Sequence, residues 1–183
     1  MPFDVASGNN GQKLSPILIK MSQIHLPSAQ SVIQDAKDQA REERKNVAIY
    51  FHASWCPWCR HFESLWLHSR MTQIFESAFV LAKIDCRDRH EDKSQEHRGW
   101  EPIMEDLRGS HDVDVPYLVV VTPDGEKLGD SYVPPSGYIP SNAGYPVTDS
   151  EINAFVELIE RTGKGFTKEY SAVLRLFLEA ELP

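Results

Sequence analysis

The chain has 183 residues, 41% of them hydrophobic, and three cysteines: enough for one domain whose core needs no disulfide staples. Nineteen lysines and arginines against 27 aspartates and glutamates leave a formal net charge of −8 and a pI near 5.3. That balance disfavours nucleic acid, whose phosphates demand a basic face, and no apolar run approaches the roughly 20 residues that span a bilayer.

Residues 1–22 read as a tail or arm: polar through Gly8-Asn9-Asn10-Gly11, then a short extended candidate at Pro16-Ile17-Leu18-Ile19. The opening Met1-Pro2-Phe3-Asp4 lacks the basic and apolar regions of a secretory leader. As written the chain reads as cytoplasmic, with a periplasmic address the alternative if a leader has been removed. A second extended candidate, Gln23-Ile24-His25-Leu26, precedes Ser28, which caps a helix running to about Arg44 with Val32, Ile33, Ala36 and Ala40 on one face. Val47–Phe51 is a continuous apolar run, the pattern of a parallel strand buried on both faces.

Trp55-Cys56-Pro57-Trp58-Cys59 follows that strand directly. Phe62, Leu65 and Trp66 then recur at helical spacing, which puts the second cysteine in the first turn of a helix. Phe79–Cys86 reads as the next strand. Arg87–Gly99 is highly charged and reads as a solvated loop, part of an insertion near 87–113. Trp100, Ile103, Met104 and Leu107 give a helix with one buried face. Val115–Val121 is a strand with Pro116 near its start, where a missing donor is tolerated. Pro123-Asp124-Gly125 turns the chain into a return strand at about Glu126–Tyr132. Proline and glycine crowd residues 133–147, an irregular loop that carries Tyr138 and Tyr145. Thr148-x-x-Glu151 is a capping box opening a helix that Gly163 stops. Residues 164–183 add a last helix, capped by Thr167, whose stripe of Tyr170, Val173, Leu174 and Phe177 must be covered by its own domain or by a second copy.

Two cysteines two residues apart, at a strand end and a helix start, form a redox pattern. The attacking species is thiolate, and the unpaired N–H groups of a helix N-terminus favour negative charge there. Cys56 is then the nucleophile. Cys59, one helical turn on and more buried, is the resolving thiol, and Pro57 has no N–H to lose in the first turn. The competing reading is half a zinc site, with His52, His61 and Cys86 as possible remaining ligands. Cys86 alternates with Ile84 and reads instead as a core thiol. Trp55 and Trp58 flank the nucleophile as apolar surface for an extended client, although Trp55 serves equally as packing. His52, four residues before Cys56, is the candidate for tuning the thiol. Protonated, it would stabilise a thiolate; neutral, it could relay the Cys59 proton; a satisfied core histidine is the plain alternative. His61 reads as a helix-surface residue, and His90, His97 and His111 as solvated loop histidines.

The order of elements, with Phe51-His52-Ala53-Ser54-Trp55-Cys56-Pro57-Trp58-Cys59-Arg60 and Asp114-Val115-Pro116-Tyr117, resembles the thioredoxin superfamily over about residues 23–162. It looks most like its bacterial thioredoxin-like thiol:disulfide oxidoreductases. The resemblance implies an α/β thioredoxin fold over 23–163, a central mixed sheet flanked by helices. It also implies a cis Pro116 beside the cysteines, and a Val115 backbone that bonds a substrate strand. The implied activity is thiol–disulfide exchange through Cys56 and Cys59; its direction is not readable from the motif, and a cytoplasmic address favours a reductase over an oxidase by mass action. Protein thiols or disulfides and an upstream electron donor or acceptor would be its partners, with the chain a monomer or weak dimer. No cofactor and no metal is implied, because the cysteine pair stores the electrons. The alternative is a thioredoxin-like module that binds copper, zinc or a client without redox turnover. The chain departs from thioredoxin in four ways: Tyr50 stands where a buried acid is usual, His52 where tryptophan is, Pro57-Trp58 in place of Gly-Pro, and Ser64 in place of a mid-helix proline.

Overall fold

A computed structural model describes residues 26–90, 93–133 and 141–180. The arm at 1–22, residues 23–25 of the extended candidate Gln23-Ile24-His25-Leu26, and Tyr138 lie outside the described residues.

Four strands form the main sheet: β1 (Asn46–His52), β2 (Phe79–Asp85), β3 (Tyr117–Val121) and β4 (Lys127–Asp130), in the order β2-β1-β3-β4. β1 runs parallel to β2 and antiparallel to β3, and β4 closes the sheet antiparallel to β3. β1 is central and buried at every position, hence its unbroken apolar run. Alternate residues serve two cores. Val47, Ile49 and Phe51 face α1 (Ala29–Glu43) and α4 (Trp100–Arg108). Ala48 and Tyr50 face the opposite layer of α2 (Pro57–Leu67), α3 (Ser69–Ala78), α5 (Asp149–Thr162) and α6 (Lys168–Ala180). This mixed sheet between helical layers is a thioredoxin fold.

The caps form where residue type predicts. The Ser28 hydroxyl accepts the Ser31 N–H at 3.1 Å and starts α1. At α5, Thr148 Oγ1 accepts the Glu151 N–H while Glu151 Oε2 accepts the Thr148 N–H, so two orphan donors are satisfied reciprocally. A Cβ on Gly163 would meet the Ile159 carbonyl at 2.9 Å, so only glycine allows the close turn that ends α5. α6 lies back on α5 and buries Leu174 and Leu178, with Val173 and Phe177 partly covered. Its stripe is thus covered within the chain. Among the described residues no helix is long and apolar enough to cross a membrane.

Three features differ from the sequence reading. α3 is a separate helix: His68 leaves helical geometry (ψ 128°), and Trp66 stacks on Phe75 with ring centroids 4.5 Å apart, folding α3 against α2. The loop at 133–147 is not wholly irregular, since β5 (Tyr132–Val133) pairs antiparallel with β6 (Ser141–Asn142). His97, read as a solvated loop histidine, is buried, and its Nδ1 accepts the Asp85 N–H at 2.9 Å. Asp88 is buried beside it, its carboxylate accepting the His90 and Gln95 N–H groups at 3.0 and 2.9 Å. The loop is charged, but its side chains are spent on its own backbone donors, which burial obliges it to satisfy. His111 is exposed.

Candidate active site

β1 carries the chain to Cys56, which is the N-cap of α2 in extended geometry, with Pro57 as the first helical residue. Proline suits that place because its missing N–H would have had no helical partner. Cys56 Sγ accepts the Cys59 N–H at 3.2 Å, and the Cys56 thiol faces the Val115 carbonyl at 3.4 Å. Both thiols are free and nearly inaccessible, at 3% and 1% exposure. Burial, then the neighbouring Cys56, pushes Cys59 up to about 12, so it holds its proton at neutral pH. The two cysteines therefore occupy different settings: Cys56 at the helix dipole's positive end, Cys59 within the apolar layer.

The Val115–Pro116 peptide is cis. A network read from no motif supports this turn. Asn142 Nδ2 donates to the carbonyls of Asp114 and Pro116, both at 2.8 Å, and its Oδ1 accepts the Ser131 hydroxyl at 2.7 Å. Ser131 Oγ in turn accepts the Leu118 N–H at 3.1 Å. Gly144 lies against the same turn, where an added Cβ would stand 1.8 Å from the Pro116 oxygen. The β5–β6 hairpin is thus a clamp on the residues facing Cys56.

Beneath the cysteines lies an aromatic stack. His52 lies 5.4 Å from Tyr50 at 12°, and Tyr50 lies 4.2 Å from Phe62 at 20°. The Tyr50 hydroxyl donates to the Cys59 carbonyl at 2.9 Å; burial, reinforced by Cys59, raises its pKa and keeps it a donor. His52 reaches the cysteine pair through this stack. Its Nε2 is 2.5 Å from Asp85 and its Nδ1 3.4 Å from Glu63, which also pairs with Lys83 at 2.7 Å. Burial opposes ionisation of Asp85, but its bond to His52, with Lys83 and His97 nearby, outweighs that and holds its carboxyl below the usual range.

The two tryptophans part ways. Trp55 is fixed, its Nε1 donating to the Arg87 carbonyl at 2.8 Å with the Arg89 guanidinium 3.9 Å above its ring. Trp58 is exposed and forms an aromatic edge with His61 and Tyr145. Cys86 packs in the α1/α4 layer, across the sheet from Cys56 and Cys59, and burial raises its pKa. Among the described residues no three His, Cys, Asp or Glu side chains converge as a metal site.

Asp85, Asn142, Ser131 and Gly144 were not legible as site residues. Asp85 follows from strand pairing, since it sits opposite His52 in the β1–β2 register. Ser131 falls at the end of the return strand with no feature to mark it, and Asn142 and Gly144 fall in the loop at 133–147, which has no periodicity.

A thioredoxin-like family model matches residues 28–123. A 55-residue stretch is 34% identical to "Thiol:disulfide interchange protein DsbD" of Vibrio cholerae serotype O1, over 30% of this chain and 9% of that protein. The match thus spans under a tenth of that relative's length. Among solved structures, a disulphide isomerase from Xylella fastidiosa Temecula1 is 20% identical with a TM-score of 0.47, covering 56% of this chain and 72% of the other. Oxidised thioredoxin O2 from Arabidopsis thaliana is 18% identical with a TM-score of 0.42, covering 76% of this chain and 92% of the other.

Proposed function

The chain belongs to the thioredoxin-like family, and from that premise we propose that it is a thiol–disulfide oxidoreductase that reduces protein disulfides through Cys56 and Cys59. The observation that carries the reading is the setting of Cys56: its sulfur caps α2, held by the Cys59 N–H and facing the Val115 carbonyl.

The Cys56 thiolate attacks one sulfur of a client disulfide. A mixed disulfide forms, the client S–S bond breaks, and the departing client thiolate takes a proton. Cys59 then loses its proton and attacks Cys56 Sγ, closing the Cys56–Cys59 disulfide and releasing the second client thiol. Two electrons pass from the cysteine pair to the client, and an upstream dithiol donor restores them.

Val115 offers its backbone to an extended client, Pro116 positions that strand, and Trp55 and Trp58 border the contact surface. His52 tunes the pair through Tyr50. Residues 23–163 make the working domain, with additions at 87–113, at 133–147 and in the helix from 164 to 183. The chain acts as a monomer or weak dimer, consistent with the apolar stripe of α6 resting on α5. The reductive direction fits a reducing, cytoplasmic compartment, where mass action regenerates the dithiol.

Cys59→Ser tests the chemistry. It should accumulate client mixed disulfides through Cys56, and Cys56→Ser should accumulate none. Stoichiometric metal in protein purified without chelator, with no disulfide reduction, would overturn the reading in favour of metal binding. The direction rests on the potential of the pair in a glutathione series. A value near thioredoxin's, about −270 mV, marks a reductase, whereas one near about −120 mV marks an oxidant and reverses the proposed direction.

A further inference from the structure

Arg89 lies against Trp55, the residue before the nucleophile, and among the described residues no acid pairs with it. Its guanidinium lies 3.9 Å above the ring of Trp55, the residue before Cys56, and that ring is anchored by the bond from Trp55 Nε1 to the Arg87 carbonyl. The backbone on either side is pinned as well. The Asp88 N–H donates to Glu96 at 2.9 Å, the His90 N–H donates to the Asp88 carboxylate at 3.0 Å, and Lys93 Nζ donates to the Asp88 carbonyl. Arg89 is exposed in this pinned turn, as are His90 and Lys93.

Among the described residues, four carboxylates of this part of the fold are committed elsewhere. Asp88 serves the backbone of its own loop, Glu96 holds the Asp88 N–H, Asp85 is paired with His52, and Asp112 is paired with Arg87 at 3.3 Å. Among the described residues Arg89 makes no ion pair, nor does Arg60, the exposed residue after Cys59. In a chain of net charge −8, a cation stacked on the residue before the nucleophile, and without an ion pair among the described residues, runs against the overall balance. Stacking occupies the face of a guanidinium and leaves its edge, a planar fork of N–H donors that matches a carboxylate.

We propose that Arg89 is the docking residue for a carboxylate carried next to the disulfide, so that preferred clients are peptide segments with Asp or Glu beside the reacting cysteine. This rests on the oxidoreductase reading above. The chemistry is shared with small carboxylated disulfides such as glutathione disulfide, and the test separates the two.

Reduced full-length protein is mixed with two peptide disulfides identical except for Glu or Gln beside the cysteine, and the second-order rates are compared as a ratio. Glutathione disulfide and uncharged hydroxyethyl disulfide form a second pair. An exposed ion pair predicts that wild type favours the Glu peptide about two- to five-fold, and that added salt shrinks the ratio. The ratio should fall to about one in Arg89→Gln and survive in part in Arg89→Lys, which keeps the charge but loses the fork. Equal rates on the two peptides in wild type, or a preference that persists in Arg89→Gln, overturns the proposal. An Arg89-dependent preference confined to glutathione disulfide also overturns it, in favour of the small molecule. If wild type reduces hydroxyethyl disulfide no faster than Cys56→Ser does, the oxidoreductase reading itself falls and the docking role with it.

Discussion

His52 Nε2 lies 2.5 Å from the Asp85 carboxylate, and the two residues are register partners at the end of the parallel β1–β2 pair. Asp85 is therefore the group that orients the imidazole stacked on Tyr50. Asp85→Asn leaves the buried His52 with a neutral partner, and should cost about 1–3 kcal/mol if the buried nitrogen is left unpaired. Both Asp85→Asn and His52→Gln should move the pH profile of Cys56 alkylation. An unmoved profile in both would reduce His52 to a satisfied core residue.

Asp85 also sets an acid limb for stability. Its folded carboxyl lies below its ordinary value of 3.8. Its contribution is present above that ordinary value and is lost as pH falls through the folded one. Urea midpoints measured through this acid range should drop more steeply for wild type than for Asp85→Asn. Parallel curves would remove Asp85 from the account.

Cys59 sets an alkaline limb of opposite sign. Its folded value of about 12 lies above the ordinary 9.0, so the folded state keeps a proton that the unfolded chain gives up. That stability is intact below pH 9.0 and lost as pH rises toward 12. Cys59→Ala should start less stable, from the space left behind, but should lose less between those limits. Peptide mapping after brief iodoacetamide treatment at neutral pH should find Cys59 and Cys86 unlabelled.

Tyr50 occupies the place of a buried acid, yet its hydroxyl serves the Cys59 carbonyl at 2.9 Å. Tyr50→Phe keeps the stack with Phe62 and loses only that bond. The expected cost is about 0.5–1.5 kcal/mol in chemical denaturation, with client reduction still measurable. Abolished activity would assign the phenol a direct part in the chemistry.

Gly144 and Asn142 hold the turn that faces Cys56. Gly144→Ala puts a Cβ 1.8 Å from the Pro116 backbone oxygen, which no side-chain rotation can relieve, so the turn must move. About 1–3 kcal/mol of destabilisation and a marked fall in client reduction should follow. Asn142→Ala strips the shared donor from the Asp114 and Pro116 carbonyls and should show the same pattern at about 1–3 kcal/mol. Wild-type rates in both variants would show that the clamp is dispensable.

The elements that chemistry needs first were legible before any coordinates. β1 is an unbroken apolar run because its strand is central. Cys56-Pro57 opens a helix because proline tolerates the first turn, and Thr148 with Glu151 announces a helix start because both partners lie within four residues. Resemblance supplied the association of Cys56 with Val115-Pro116. In contrast, His97 and Asp88 sit in a segment as charged as any solvated loop, and only the folded chain turns their side chains onto buried backbone donors. The β5–β6 pair gave no periodic signal, since each strand has two residues.

Local patterns in the chain thus determined the elements and the cysteine pair at a helix start, because caps, periodicity and C-x-x-C spacing act over a few residues. Tertiary structure alone decided the surroundings of that pair: Asp85 on His52, Tyr50 beneath Cys59, Asn142 and Gly144 against Pro116, Arg89 over Trp55. The contact of Arg89 with Trp55 spans 34 residues, and the Asn142 bonds span 26 and 28. Such contacts arise only when strand register and helix packing bring distant segments together.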